Sequence, residues 1–150
     1  MSTGSKVRRA LMILLVYFLS TWAAAAPVQA QGAVPDITLT CDQPQPIDVY
    51  PGATRSSIIN CRIENPTVHQ EKVRIQIQAG VLAFSGPATM SIGGGSEVSF
   101  QVLVRAELRA PEGQHQVTVS AEVTMANGVP VTSEPSAANV MAIIRQFSRL

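Results

Sequence analysis

Glu71-Lys72-Val73-Arg74-Ile75-Gln76-Ile77-Gln78 decides the fold. Val73, Ile75 and Ile77 fall on one side of an extended chain, and Lys72, Arg74, Gln76 and Gln78 on the other. An apolar period of two marks a strand with one buried face, whereas a helix would scatter these side chains around its axis. The pattern recurs in both directions. Upstream, Ile59, Cys61 and Ile63 alternate with Asn60, Arg62 and Glu64, and residues 37–41 alternate likewise. Residues 47–50 resume the pattern briefly between two prolines and Pro51-Gly52. Downstream, short apolar segments at residues 81–84 and 89–92 are separated by Ser85-Gly86-Pro87. Val98, Phe100, Val102 and Val104 then share one phase, as do Val117, Val119, Ala121, Val123 and Met125. Asn127-Gly128 is a strong two-residue hairpin signal. A return strand should start at residues 129–132, break at Glu134-Pro135-Ser136 and finish over residues 139–147. No window has helical periodicity. Seven to nine short strands, separated by turns about every ten residues, predict an all-β antiparallel sandwich over residues 36–150.

The N-terminus reads differently. Residues 1–9 carry Lys6, Arg8 and Arg9 without an acid, and residues 10–26 are apolar. Val28 and Ala30 place small residues at −3 and −1 of a cleavage point before Gln31. Basic, apolar and small-residue regions in this order form a secretory signal peptide over residues 1–30, followed by a flexible leader at 31–35. The competing reading is an uncleaved anchor, for which the apolar run is at the short limit for spanning a bilayer. Either reading exports the domain to the periplasm, the cell surface or the exterior.

Export makes the cysteines informative. Two thiols in an oxidising compartment tend to pair, and only Cys41 and Cys61 exist. Cys41 shares its phase with Ile37 and Leu39, and Cys61 with Ile59 and Ile63, so both point inward. A disulfide tying the first strand to the second is the expectation, with two separate buried thiols as its rival.

Beyond residue 30 there are eight basic and ten acidic side chains, a net charge of −2. Such a domain lacks the broad field that holds nucleic acid. Membrane contact is expected only through an uncleaved N-terminal segment.

Chemistry-bearing motifs are sparse. His69 and His115 lack metal-ligand spacing, and the bland reading places His69 in a solvated turn. Asp36, Asp42 and Asp48 recur every six residues but are separated by strand and proline, unlike the tight loop calcium requires. Gly93-Gly94-Gly95 lacks the Lys-Ser/Thr and helix of a phosphate loop. No serine lies in a nucleophile elbow. Asn65-Pro66-Thr67 is barred from glycosylation by its proline. These readings give no catalytic residue, metal or cofactor.

Tyr50-Pro51-Gly52-Ala53 precedes a strand, Cys61-Arg62-Ile63-Glu64-Asn65-Pro66-Thr67 ends one, and Val73 to Ile77 follows. Ile92-Gly93-Gly94-Gly95-Ser96-Glu97-Val98 and Pro111-Glu112-Gly113-Gln114-His115-Gln116-Val117 complete the set. Together, across residues 36–147, they resemble the immunoglobulin-like modules of prokaryotic exported and cell-surface proteins, which accompany glycosidases or occur as adhesion-type repeats. His115 stands where those modules commonly carry an aromatic. The resemblance implies an immunoglobulin-like sandwich.

The last strand departs from simple alternation. Val140, Ala142 and Ile144 occupy one face, while Met141, Ile143 and Phe147 occupy the other. Such a strand is either covered on both faces or offers apolar surface to a partner, although isolated exposed apolar residues are common. The expected function is a non-enzymatic binding or structural module with a protein or glycan partner, and Met141, Ile143 and Phe147 are its candidate contacts. A subunit of an exported assembly such as a pilus or surface layer, self-associating as a homo-oligomer, is the alternative. An unrecognised hydrolase is the third reading.

Overall fold

The computed structural model describes residues 34–147. The expected signal peptide, residues 31–33 of the leader and residues 148–150 lie outside the described residues. The described chain is all β, with ten strands and no helix. In order these are β1 (Thr38–Cys41), β2 (Ile47–Val49), β3 (Ser56–Glu64), β4 (Glu71–Gln78) and β5 (Ala83–Ser85). They are followed by β6 (Thr89–Ile92), β7 (Glu97–Arg105), β8 (Gly113–Ala126), β9 (Val129–Pro130) and β10 (Ser136–Gln146). One sheet runs β1-β3-β7-β5 and the other β2-β10-β8-β4-β6, with β9 folded back on β8.

The alternation read from sequence sets which side of each strand is inside. Ile59, Ile63, Val102 and Val104 fill the inner face of the first sheet at no measurable exposure. Val73, Val117, Val119, Ala121, Ala142 and Ile144 fill the facing surface of the second. The core is almost wholly aliphatic, and Phe100 is its one aromatic. Fully burying one such Val or Ile side chain stabilises by about 1.5–3 kcal/mol. A one-residue slip would turn a whole row outward, so the register is firmly set.

The strand count exceeds the expected range because three very short strands count separately, β2 and β5 with three residues each and β9 with two. Residues 81–84 are not a strand as a unit. Gly80 takes a positive φ of 58°, the Leu82 N–H closes a turn on the Ala79 carbonyl at 3.0 Å, and the strand starts at Ala83. β10 starts three residues before the expected segment, at Ser136.

One pairing is parallel: β2 lies beside β10, with Ile47 opposite Ile144 and Val49 opposite Gln146. The chain therefore leaves the first sheet after β1 and joins the second as β2. Pro44 and Pro46, which cannot donate to a ladder, sit in that crossing. Gln43, also in the crossing, bridges the strand edge left between them. Its Oε1 accepts the Met141 N–H at 2.9 Å, and its Nε2 donates to the Met141 carbonyl at 3.4 Å. A side-chain amide thus presents one donor and one acceptor to β10, as a peptide group of a neighbouring strand would.

Cys41 and Cys61 form the disulfide. They are directly opposed on β1 and β3, with Cα atoms 4.1 Å apart. The Asp42 N–H donates to the Asn60 carbonyl, so the cysteines occupy the adjacent, closely spaced position without ladder bonds. Cys61 is buried and Cys41 partly buried. Because β2 belongs to the other sheet, the bridge joins the first and third strands within one sheet.

Candidate functional site

The outward side of β10 carries Met141, Ile143, Arg145 and then, just beyond the strand, Phe147. The structure places all three candidate contacts on this one side. Met141 is half-buried, Ile143 is 36% exposed and Phe147 is 50% exposed. Their inward neighbours Val140, Ala142 and Ile144 are buried. The two-sided apolar character of the strand therefore divides between core and surface.

Tyr50, which sequence reading did not connect to this surface, completes it. The Phe147 N–H donates to the Val49 carbonyl at 3.0 Å, extending the parallel pairing past β10 and bringing Tyr50 alongside. The two rings meet edge to face at 81° with centroids 6.5 Å apart, and Tyr50 stays 42% exposed. The Arg145 guanidinium carbon lies 5.8 Å from the centroid of the Phe147 ring. Arg145 is also fixed from β2, because its Nε and Nη2 both lie 2.7 Å from Asp48 Oδ1. Such exposed pairs add little stability, but this one holds a cation against an aromatic face. On the next loop Gln146 Nε2 donates to the Ala110 carbonyl at 2.8 Å, which brings exposed Leu108 to the same end of the sandwich. Beside β10, the outward face of β8 offers uncharged polar groups. Gln116 Nε2 and the Thr118 hydroxyl both donate to Asn139 Oδ1, at 3.0 and 2.7 Å. The result is a rigid aromatic and aliphatic strip bordered by amides and hydroxyls.

The opposite end is polar and closed. Asn65 is 1% exposed. Its Nδ2 lies 2.7 Å from the His69 carbonyl, 3.3 Å from that of Ile92 and 3.2 Å from that of Gly93, while its Oδ1 accepts the Thr67 N–H and hydroxyl. Glu71 is fully buried, as its shared parity with Val73 and Ile75 dictates. Its Oε1 accepts the Asp36 N–H at 3.1 Å and lies 3.4 Å from Thr67 Oγ1, and its Oε2 has no hydrogen-bond partner among the described residues. Glu71 thus ties the start of the described chain to the loop after β3.

His69 is not free in its turn: its Nδ1 is 2.7 Å from Asn127 Nδ2. Asn127 Oδ1 accepts the Gln70 N–H, so Nδ2 faces the imidazole and His69 Nδ1 acts as acceptor. His115 is the third residue of β8, with its Nε2 2.7 Å from the Pro111 carbonyl. The three glycines form the loop between β6 and β7. A Cβ on Gly94 would fall on the Val68 carbonyl and lie 3.0 Å from the His69 nitrogen, both backbone atoms. Gly94→Ala should therefore cost about 2 kcal/mol through forced loop movement. Thermal unfolding checks this, and an unchanged midpoint would contradict the close loop contact.

A shallow depression on the outer face of the first sheet is lined by Thr40, Asp42, Asn60, Arg62, Ser99 and Gln101, with Cys61 and Phe100. Its lining holds one carboxylate and one guanidinium, without a histidine or a second acid. Among the described residues, no three His, Cys, Asp or Glu side chains are grouped to hold a metal.

No protein-family model matches the chain. No curated protein matches it either. With two facing sheets, a first strand divided between them and a disulfide beneath the first sheet, the described residues form an immunoglobulin-like β-sandwich. Solved structures share this architecture at low identity. Native α2-macroglobulin from Escherichia coli, from domain MG7 to its C-terminus, is 14% identical with a TM-score of 0.55, covering 75% of this chain and 17% of that one. The present chain thus spans only a small part of that protein. The PapD-like domain 7 of human CEP192 is 10% identical with a TM-score of 0.51, covering 74% of this chain and 87% of that one. The cupredoxin domain of amoB from Nitrosocaldus yellowstonii is 13% identical with a TM-score of 0.50, covering 77% and 90%. At these identities the likeness is one of fold.

Proposed function

We propose that this chain is an exported, non-enzymatic binding or structural module that meets a protein or glycan partner with the outward side of β10. The observation that carries this reading is the half-exposed Tyr50–Phe147 pair, held in place by Arg145 and continuous with Ile143 and Met141. Rigid aromatics cost little conformational entropy when buried by a partner and are enriched at binding hot spots. Export is supported by the Cys41–Cys61 disulfide, which persists in oxidising compartments, and by the signal-peptide pattern of residues 1–30.

Replacing Met141, Ile143 and Phe147 together by Ser tests the surface. The variant should lose association with the envelope fraction of the exporting cell. Its stability should change by only about 1 kcal/mol, because the removed groups are largely outside the core. Undiminished association would refute the assignment. Intact-mass analysis of the exported product checks the rest, with an N-terminus at Gln31 and two hydrogens lost from the cysteines as the expected result.

The alternative, a subunit of an exported assembly, draws on a different part of the molecule, the edge of the second sheet at β6.

A further inference from the structure

An unpaired strand edge is a template for pairing, and folded proteins ordinarily blunt it with charge, proline, a bulge or a cover. Most edges here are blunted. The Leu39 N–H, on the outer edge of β1, donates to Ser136 Oγ at 3.1 Å. Gln43 occupies the edge of β10 at Met141. β2 is bracketed by Pro46 and by Pro51. β9 ends in Pro130, and β5 is a three-residue strand followed by Gly86-Pro87.

β6 differs. Among the described residues, Thr89-Met90-Ser91-Ile92 pairs with β4 on one side only, and it carries no charge and no proline. The Ile75 N–H donates to the Ala88 carbonyl at 2.8 Å, and the register places Val73 opposite Met90. Alternation along an antiparallel ladder therefore turns Ala88, Met90 and Ile92 toward β4. The backbone N–H and C=O groups of Thr89 and Ser91 point outward along the open edge.

We propose that this edge is a self-association surface, on which β6 of one copy pairs antiparallel with β6 of a second copy about a two-fold axis. The symmetry narrows the register. Keeping both cores on the same side of the joined sheet requires residues of equal parity to face each other. Thr89 then opposes Ser91 of the second copy, and the two Met90 residues oppose one another. That register joins the outward groups of Thr89 and Ser91 in four backbone hydrogen bonds. It also sets Thr against Ser, a favourable cross-strand pair. The half-buried Met90 side chains, already against the core, complete each other's cover.

Charge does not oppose this pairing. The nearest cations, Lys72 and Arg74, face outward on β4, one strand in. Across the two-fold axis they are three strand spacings apart, about 14 Å, beyond the screening length of about 8 Å at physiological salt. Phe84 on β5 adds apolar surface. It is 51% exposed and joins β6 through residues 86–88, so it borders the same side of the sandwich.

Light scattering after size exclusion, over a concentration series of the full chain as processed by the exporting host, tests this. The expected result is a mass rising from one copy to two. Ser91→Pro removes an N–H that β4 does not use, so the variant should fold normally and raise the dimer dissociation constant at least about tenfold. Thr89→Lys, which keeps every backbone group, should do the same by placing lysine in the joined edge. A wild-type chain monomeric throughout overturns the proposal. So does dimerisation unchanged in both variants, or a dimer abolished by the Met141, Ile143 and Phe147 substitutions but not by those in β6.

Discussion

Asn65→Ala should lower the free energy of unfolding by about 3 kcal/mol, one of the largest losses available to a single polar residue in this sandwich. Asn65 lies in the first turn after β3, yet it is almost completely buried. Its amide joins three segments: its own loop through the His69 carbonyl, the end of β6 through Ile92, and the glycine loop through Gly93. Its Oδ1 supports the Thr67 N–H and hydroxyl, and its backbone N–H donates to the Ser96 carbonyl at 2.9 Å. Truncation leaves several of these groups without partners in a region closed to water, so the desolvation cost is not recovered. Asn65→Asp is the informative companion, because it keeps the acceptor for Thr67 and loses the donor to the carbonyls. Urea denaturation of the oxidised protein measures both. A loss below about 1 kcal/mol for Asn65→Ala would show that the loops close without this side chain.

Breaking the disulfide is the second large effect. Cys41 and Cys61 are separated by 20 residues. Releasing that loop in the unfolded chain costs the native state about 3 kcal/mol in the chain-entropy model. The loss has a location. β1 is four residues long and, among the described residues, is held in its sheet only by β3. Without the bridge, β1 and the crossing through Gln43 lose their tether, and amide exchange should accelerate first at residues 38–43. Cys41→Ser with Cys61→Ser, compared with wild type in denaturant, gives the magnitude. Equal stabilities would mean that the bridge forms without constraining the chain.

The parity of each strand was readable because one buried face forces a period of two. Val73, Ile75, Val102 and Val119 needed no other information. The inward phase of both cysteines was readable for the same reason. What parity does not carry is sheet membership. Ile47 and Val49 look like any short strand, and only the three-dimensional crossing shows that the chain leaves the first sheet after β1 and that β2 runs parallel to β10. The disulfide's place between neighbours in one sheet follows from that crossing. Of the proposed contact strip, Met141, Ile143 and Phe147 were visible as a second apolar phase on one strand. Tyr50 was not, because it reaches Phe147 through the parallel pairing. Asn65 was visible as a turn residue, but its hub role depends on loops far apart in sequence. Glu71 had a readable signal: it shares the parity of Val73, which puts a carboxylate on the inner face.

The most direct test of the functional account is position-specific photo-crosslinking in the exporting cell, comparing a crosslinker at Phe147 with one at Ser99. Phe147 belongs to the proposed contact strip, and Ser99 is exposed on the outer face of the other sheet. A discrete higher-mass adduct should form from position 147 and be absent from position 99. Adducts from position 99 alone, or none from position 147, would contradict the assignment of the β10 face as the working surface.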